Sequence, residues 1–190
     1  MTLEADLVAM CGTWHDVLSA NEVDGSSIAY DPYGGVAGPF PYENLVYVSF
    51  DRATGAYTQT NVTFRGREPH ARTFEADVAD GVLRFRRLGP EAPQHVGVSA
   101  GAGLIWFVSE SMLDDGLRRY CEPDFIRLTG DQRTRDTVLW RDGALVRTLH
   151  VDGTRLTVDE SARHELDPRS GGGPVHETRS STTQYVGERA

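Results

Sequence analysis

Residues 74–86 read FEADVADGVLRFR, and the Asp80-Gly81 dipeptide at their centre decides the fold class. Asp-Gly between two alternating runs is the signature of a two-residue hairpin turn, which sets the register of both flanking strands. Ala79 then pairs with Val82, Asp77 faces Arg84, and Glu75 faces Arg86. The opposite charges share one face, while Phe74, Ala76, Val78, Leu83 and Phe85 fall on the other. One wet face and one apolar face describe an antiparallel sheet curled around a core.

The same texture extends both ways. Runs rich in Val, Thr, Phe, Tyr and Trp alternate with turn signals from Gly12 onward. Strands are expected near 13–20, 43–50, 56–65, 71–79, 82–88, 94–99, 104–109, 119–128, 133–141, 144–151, 154–166 and 175–186. LIWFV at 104–108 reads as a buried strand, and DPYGGVAGPFP at 31–41 as a long loop. TLEADLVAM at the start reads as a short helix with Thr2 as its N-cap. The expected architecture is all-β: an antiparallel up-and-down barrel of roughly eight to ten strands with a short N-terminal helix. A single domain over 1–190 is expected, with the helix in 1–11 and the barrel in 12–186.

Composition narrows the function. The net charge is −9, which argues against nucleic acid, whose phosphates need clustered cations. All 19 basic residues are Arg, so lysine Schiff-base and P-loop chemistry are excluded. No apolar run has the length of a membrane helix. The opening residues lack the basic region of a secretory signal, so the expected location is cytoplasmic. Cys11 and Cys121 have no CxxC spacing and read as buried thiols. The six His are dispersed, without HxH or HExxH spacing, so no metal is expected.

Two further Asp-Gly pairs carry the register toward the C-terminus. Asp142-Gly143 pairs Trp140 with Leu145 and Val138 with Arg147; Asp152-Gly153, read as another hairpin, pairs Leu149 with Leu156 and Arg147 with Val158. The more apolar face is then Asp136, Val138, Trp140, Leu145, Arg147, Leu149, Leu156 and Val158, taken as inward. Followed along LTVDESARHELD (156–167), that face includes Glu160, Ala162 and His164. The last hairpin sets His164 opposite Glu177, and Glu160 opposite Ser181, or, with a two-residue slip, His164 opposite Arg179.

An interior with Arg147, Glu160, His164, Glu177 and Arg179 is costly unless its charges pair or hydrate. The plainer reading is an ion network that holds the barrel shut. The functional reading is a largely apolar pocket with a few convergent polar groups. There, His164 oriented by Glu177 would act as acid and base, with Glu160 beside them and Arg147 stabilising a developing enolate or oxyanion. Such a site suits cyclisation or isomerisation of a hydrophobic small molecule without a cofactor; confinement alone can also speed a cyclisation. Trp106, Tyr120, Trp140, Tyr47, Val158 and Ser181 are the candidate pocket wall, although aromatics of this kind also serve as core. A non-catalytic carrier of a small molecule or chromophore, and a filled structural barrel, are the alternatives. The molecule is expected to be a monomer or homodimer.

CGTW (11–14), directly after the helix and opening the first strand, resembles the Gly-x-Trp signature of the lipocalins and the wider calycin superfamily. The resemblance implies that Trp14 packs at the closed end of a barrel against an Arg from a late strand, with Arg179 as the candidate. HDVLS follows Trp14 in place of the glycines of the heme-binding variant of this motif, so no heme is expected. The cytosolic bacterial branch, with its bilin-lyase-like members, is the most similar; such folds bind hydrophobic small molecules, and some bacterial barrels act as cyclases.

Overall fold

The Asp80-Gly81 turn forms as expected. Both residues have positive φ, +54° and +74°, the left-handed geometry that this hairpin turn requires. Ala79 pairs with Val82, Val78 with Leu83, Asp77 with Arg84, and Ala76 with Phe85. Arg86 reaches the Glu75 carboxylate at 2.7 Å on the outer face. The structure, a computed structural model, describes residues 2–31, 38–65, 69–87, 94–109, 123–141 and 144–157.

The elements are α1 (Leu3–Met10), β1 (Gly12–Glu22), β2 (Tyr30–Asp31), β3 (Gly38–Pro39), β4 (Tyr42–Phe50), β5 (Ala56–Thr63) and β6 (His70–Ala79). They continue with β7 (Val82–Phe85), β8 (His95–Gly101), β9 (Leu104–Ser109), β10 (Asp124–Thr129), β11 (Gln132–Arg141) and β12 (Ala144–Arg155). Strands β4 to β12 meander, each antiparallel to the next, and β1 bonds to both β4 and β12 to close the barrel. The ring leaves no edge of its sheet unpaired. β2 and β3 form a separate two-stranded hairpin. Among the described residues, no helix is long and apolar enough to cross a membrane.

One end of the barrel is sealed. Thr2 caps α1, its hydroxyl accepting from the Ala5 amide, and Leu3, Leu7 and Met10 bury against Trp14, Val46, Val48, Tyr57, Leu83 and Ile105. Trp14 is fully buried and donates its indole N–H to the Met10 carbonyl at 2.8 Å. The Arg155 and Arg133 guanidiniums lie 4.3 and 4.8 Å from its ring centre. Arg155 also donates to the carbonyls of Cys11 and Ala9, supplying partners where the helix ends. Arg133 grips Asp16 with two hydrogen bonds, at 3.0 and 2.6 Å, both side chains 5% exposed. Arg179, proposed from sequence for the Trp14 contact, lies outside the described residues.

Three expectations change. Asp152-Gly153 is no turn: β12 runs through it, with Asp16 opposite Gly153 on one side and Arg133 on the other. The glycine is there for space, since a Cβ at 153 would collide with Asp16 Oδ1 and stand 2.6 Å from Arg133 Cγ. The inward assignment of Glu160 and His164 was built on that hairpin and loses its basis. Secondly, a bulge shifts the β11–β12 register: Trp140 pairs with Leu145, but Leu139 pairs with Arg147. Arg147 and Leu149 keep their inward face, opposite Leu139 and the buried Thr137. Alternation then turns Asp136, Val138 and Trp140 outward. Thirdly, LIWFV is buried on one side only: Ile105 and Phe107 are inside, while Trp106 is 40% exposed.

With β12 bonded to β1 as far as Trp14 and Arg155, the ring of described strands closes at residue 155; residues 158–186 of the expected barrel lie outside the described residues.

The role of Gly153 is open to a direct check. Gly153→Ala should destabilise the fold by about 1–3 kcal/mol, the usual cost of overpacking a filled site. Urea denaturation measures it; an unchanged midpoint would mean that Asp16 and Arg133 do not need the space.

Candidate binding site in the barrel

The inner wall past the sealed end carries a row of polar groups on β5. Tyr57, Gln59 and Asn61 alternate onto one face, and the burial of Tyr57 in the core makes that face the inner one. The Tyr57 hydroxyl donates to Gln59 Oε1 at 2.8 Å, and Gln59 Nε2 donates to Asn61 Oδ1 at 2.9 Å. Burial pushes the phenol well above its ordinary range, with the Arg133 charge opposing, so Tyr57 stays a donor at neutral pH. On β6, Phe74 pairs with Gln59 and Arg72 with Asn61, and the Arg72 guanidinium lies 5.0 Å from the Phe74 ring centre.

The facing wall comes from β10, β11 and β12. Asp124 and Arg135 form an ion pair at 2.9 Å, both about one-fifth exposed. Arg147 stands between Leu139 and Glu22 in the register, near Leu149 and Thr137. Aromatic rings on the inner face pack edge to face, Tyr57 against Phe85 at 5.9 Å and Phe85 against Phe107 at 5.7 Å. Asn44 Oδ1 and Thr137 Oγ1 are buried on inward-facing positions without a hydrogen-bond partner among the described residues. Buried polar atoms in native folds are nearly always satisfied. At the end where β4 begins, Arg65 is held by the Phe40 and Tyr42 rings, 4.2 and 4.6 Å from their centres, and by the Gly38 carbonyl.

Of the residues selected from sequence, Arg147 is placed on the inner wall and Trp14 at the sealed end. Trp106 is on the outer face, stacked at 5.4 Å on Phe125, and Trp140 is outward as well. Tyr47 is also outside: with Gly12, Thr13, Ser49, Thr58 and Thr60 it lines an open cleft of about 290 Å³ between β1, β4 and β5. Glu160, His164, Glu177, Tyr120, Val158 and Ser181 lie outside the described residues. The inner row was missed in the sequence although its signal was present. In AYTQTNVT (56–63) the Thr at 58 and 60 belong to the wet face, leaving Tyr57, Gln59 and Asn61 for the interior.

Cys11 behaves as a partly buried thiol: burial raises its pKa, and Sγ donates to the Leu7 carbonyl at 3.3 Å. Outside the barrel, His150 sits between Asp136 and Asp152, at 2.6 and 3.3 Å.

No family model and no curated protein matches the chain. Solved structures do. A protein of unknown function from the DUF3598 family of Nostoc punctiforme superposes with a TM-score of 0.56 at 19% identity, over 79% of this chain and 48% of its own. The S-type phycobiliprotein lyase CPES of Guillardia theta superposes with a TM-score of 0.59 at 11% identity, over 83% of this chain and 94% of its own. The chain thus spans about half the length of the first of these. Together with the closed ten-stranded ring and the Trp14 end-cap, the likeness defines a lipocalin-like, calycin-type barrel fold.

The His150 cluster gives a pH test. The hydrogen bond to Asp136, then the charges of Asp136 and Asp152, raise its pKa above 6.5 against a smaller desolvation effect. A raised folded-state pKa adds stability in full below the unfolded value, and loses it as pH rises through the folded value. Wild type should therefore exceed His150→Gln in stability in mildly acidic solution, with the gap closing as pH rises through the raised value. A gap of constant size from about pH 5 to about pH 9 in urea denaturation would refute the assignment.

Proposed function

We propose that the barrel binds a hydrophobic small molecule in its interior and promotes cyclisation or isomerisation of that molecule. The observation that carries the binding reading is the inner row Tyr57–Gln59–Asn61, facing the Asp124–Arg135 pair across a lining of Phe74, Phe85, Phe107 and Leu149. A few polar groups converging within an apolar lining is the usual constitution of a small-molecule site. The superposed lyase acts on a phycobiliprotein by its name, and the shared barrel fold is compatible with an interior site here. In the catalytic reading, His164 oriented by Glu177 moves the proton, Glu160 assists, and Arg147 stabilises the developing negative charge. The same reading assigns Val158, Ser181 and Tyr120 to the wall of its pocket.

A specific observation favours a carrier as the second reading. The row on β5 consists of a phenol held protonated and two amides, groups that orient a ligand without exchanging protons at neutral pH. Binding in a soluble, cytoplasmic setting, as monomer or homodimer and without nucleic acid, fits both readings.

Two variants separate the interior from the outer surface. Leu149→Trp fills the space beside Arg147 and should weaken binding of Nile red, a neutral apolar dye, by about tenfold, or ~1.4 kcal/mol. Trp106→Ala removes the outer stack and should leave it unchanged. The reverse pattern in a fluorescence titration would sink interior binding. For the catalytic reading, His164→Ala should abolish turnover of linear polyketide or terpenoid precursors with dye affinity intact; equal turnover by the variant would leave the carrier.

A further inference from the structure

The outer surface of the barrel changes character on β8, β9 and β10. Elsewhere it is hydroxylic or charged, with Thr58 and Thr60 on β5, Glu75 and Asp77 on β6, and His150 and Asp152 on β12. Here it consists of Val98, Leu104, Trp106, Val108 and Phe125, and neither β8 nor β9 contains an Asp, Glu or Arg. Alternation sets the facing: Ile105, Phe107 and Ile126 are buried on the inner side, so their neighbours point out. Val98 pairs with Trp106, and Trp106 with Phe125, which makes one row across three strands. The two aromatic rings are 40% and 43% exposed and stack at 5.4 Å with 14° between their planes. Single exposed apolar side chains are ordinary on a protein surface; an exposed aromatic pair among aliphatic neighbours marks an interaction face.

Two charges border Phe125 on that face. Arg127 follows it by two residues along β10, and Asp136 is its partner across on β11. Arg127 is exposed and makes no ion pair among the described residues. The Asp136 side chain is 64% exposed, and His150 bonds it at Oδ1 alone. An aromatic centre therefore has an unmatched base in one direction and an accessible acid in another. A face that pairs with itself needs this arrangement, because in a two-fold contact residue i meets j while j meets i. A two-fold axis at Phe125 that exchanges the two directions sets Arg127 of each copy on Asp136 of the other. One interface then gains two ion pairs. The same operation lays one apolar row against another, giving the dry centre and charged rim of a specific contact.

We infer that the chain forms a two-fold homodimer through the outer face of β8–β10, centred on Trp106 and Phe125 and held in register by reciprocal Arg127–Asp136 pairs. The inference is independent of what the interior binds. Analytical ultracentrifugation of the full chain tests it. Wild type should sediment as a dimer that dissociates on dilution. Arg127→Asp opposes two carboxylates and Asp136→Arg opposes two guanidiniums, so each should raise the dimer Kd by about tenfold or more. The two substitutions together rebuild the pairs with their signs exchanged and should recover the wild-type Kd. Should a charge variant fail to fold, Trp106→Ser with Phe125→Ser tests the same face and should be monomeric with an unchanged far-ultraviolet circular dichroism spectrum. A wild type that stays monomeric up to about 0.5 mM overturns the homodimer and leaves the face to a different partner. A dimer that neither the charge variants nor the aromatic variant weakens overturns the choice of face. Loss in the single charge variants without recovery in the double overturns the reciprocal pairing.

Discussion

The Asp16–Arg133 ion pair is the constraint around which the sealed end is organised. Two buried charges are expensive to bring out of water, and they repay that cost only with close geometry and satisfied neighbours. Here the pair is bidentate, and Arg133 also rests on Trp14. Asp16 is on β1, Arg133 on β11, and β12 passes between them. The strand that intervenes must be flat at that level, and it is, at Gly153. One ion pair thereby fixes the register of three strands and the site of a glycine, and it orients the indole on which the helix plug sits. Losing one partner would leave a buried charge uncompensated, at a cost of about 3–5 kcal/mol.

Arg155 extends the same logic from the strands to the helix. It lies over Trp14, reaches Asp131 at 3.2 Å, and donates to the last carbonyls of α1. A guanidinium is suited to this because its donors are fixed in one plane while its face can lie on an aromatic ring. Toward the other end the requirements change. The inner wall there keeps polar groups that satisfy one another along β5, or pair across β10 and β11, and it buries a Thr137 oxygen with no hydrogen-bond partner among the described residues. One end of the molecule is packed shut by the helix, and the inner wall beyond it keeps its polar groups paired.

Much of this was legible in the sequence, and its limits were physical. Asp80-Gly81 and Asp152-Gly153 are the same dipeptide with different causes: the first needs positive φ, the second needs a missing Cβ. Local sequence cannot separate them, because the second depends on Asp16 and Arg133, far away in the chain. The bulge near Val146 is likewise invisible to alternation, and one extra residue turned Val138 and Trp140 from the inner face to the outer. Trp106 looked like core because aromatic runs usually are; its exposure follows from the side of β9 that it occupies. The Gly-x-Trp reading of CGTW succeeded because helix end, glycine and indole are adjacent in sequence as well as in space.

The ring is closed by a seam between β1 and β12, the first and last strands of the described residues, with Trp14 beside Arg155. The two halves of this seam are far apart in the chain, so a ribosome releases β1 long before β12. Until residue 155 emerges, one edge of β1 has no partner, and the helix that covers Trp14 lacks the guanidinium that holds its carbonyls. Pairings so distant in sequence are slow to form, and open strand edges recruit other chains. The nascent chain therefore carries an exposed β edge from the emergence of β1 until that of β12, so aggregation during synthesis, rather than loss of stability once folded, is the hazard that this topology creates.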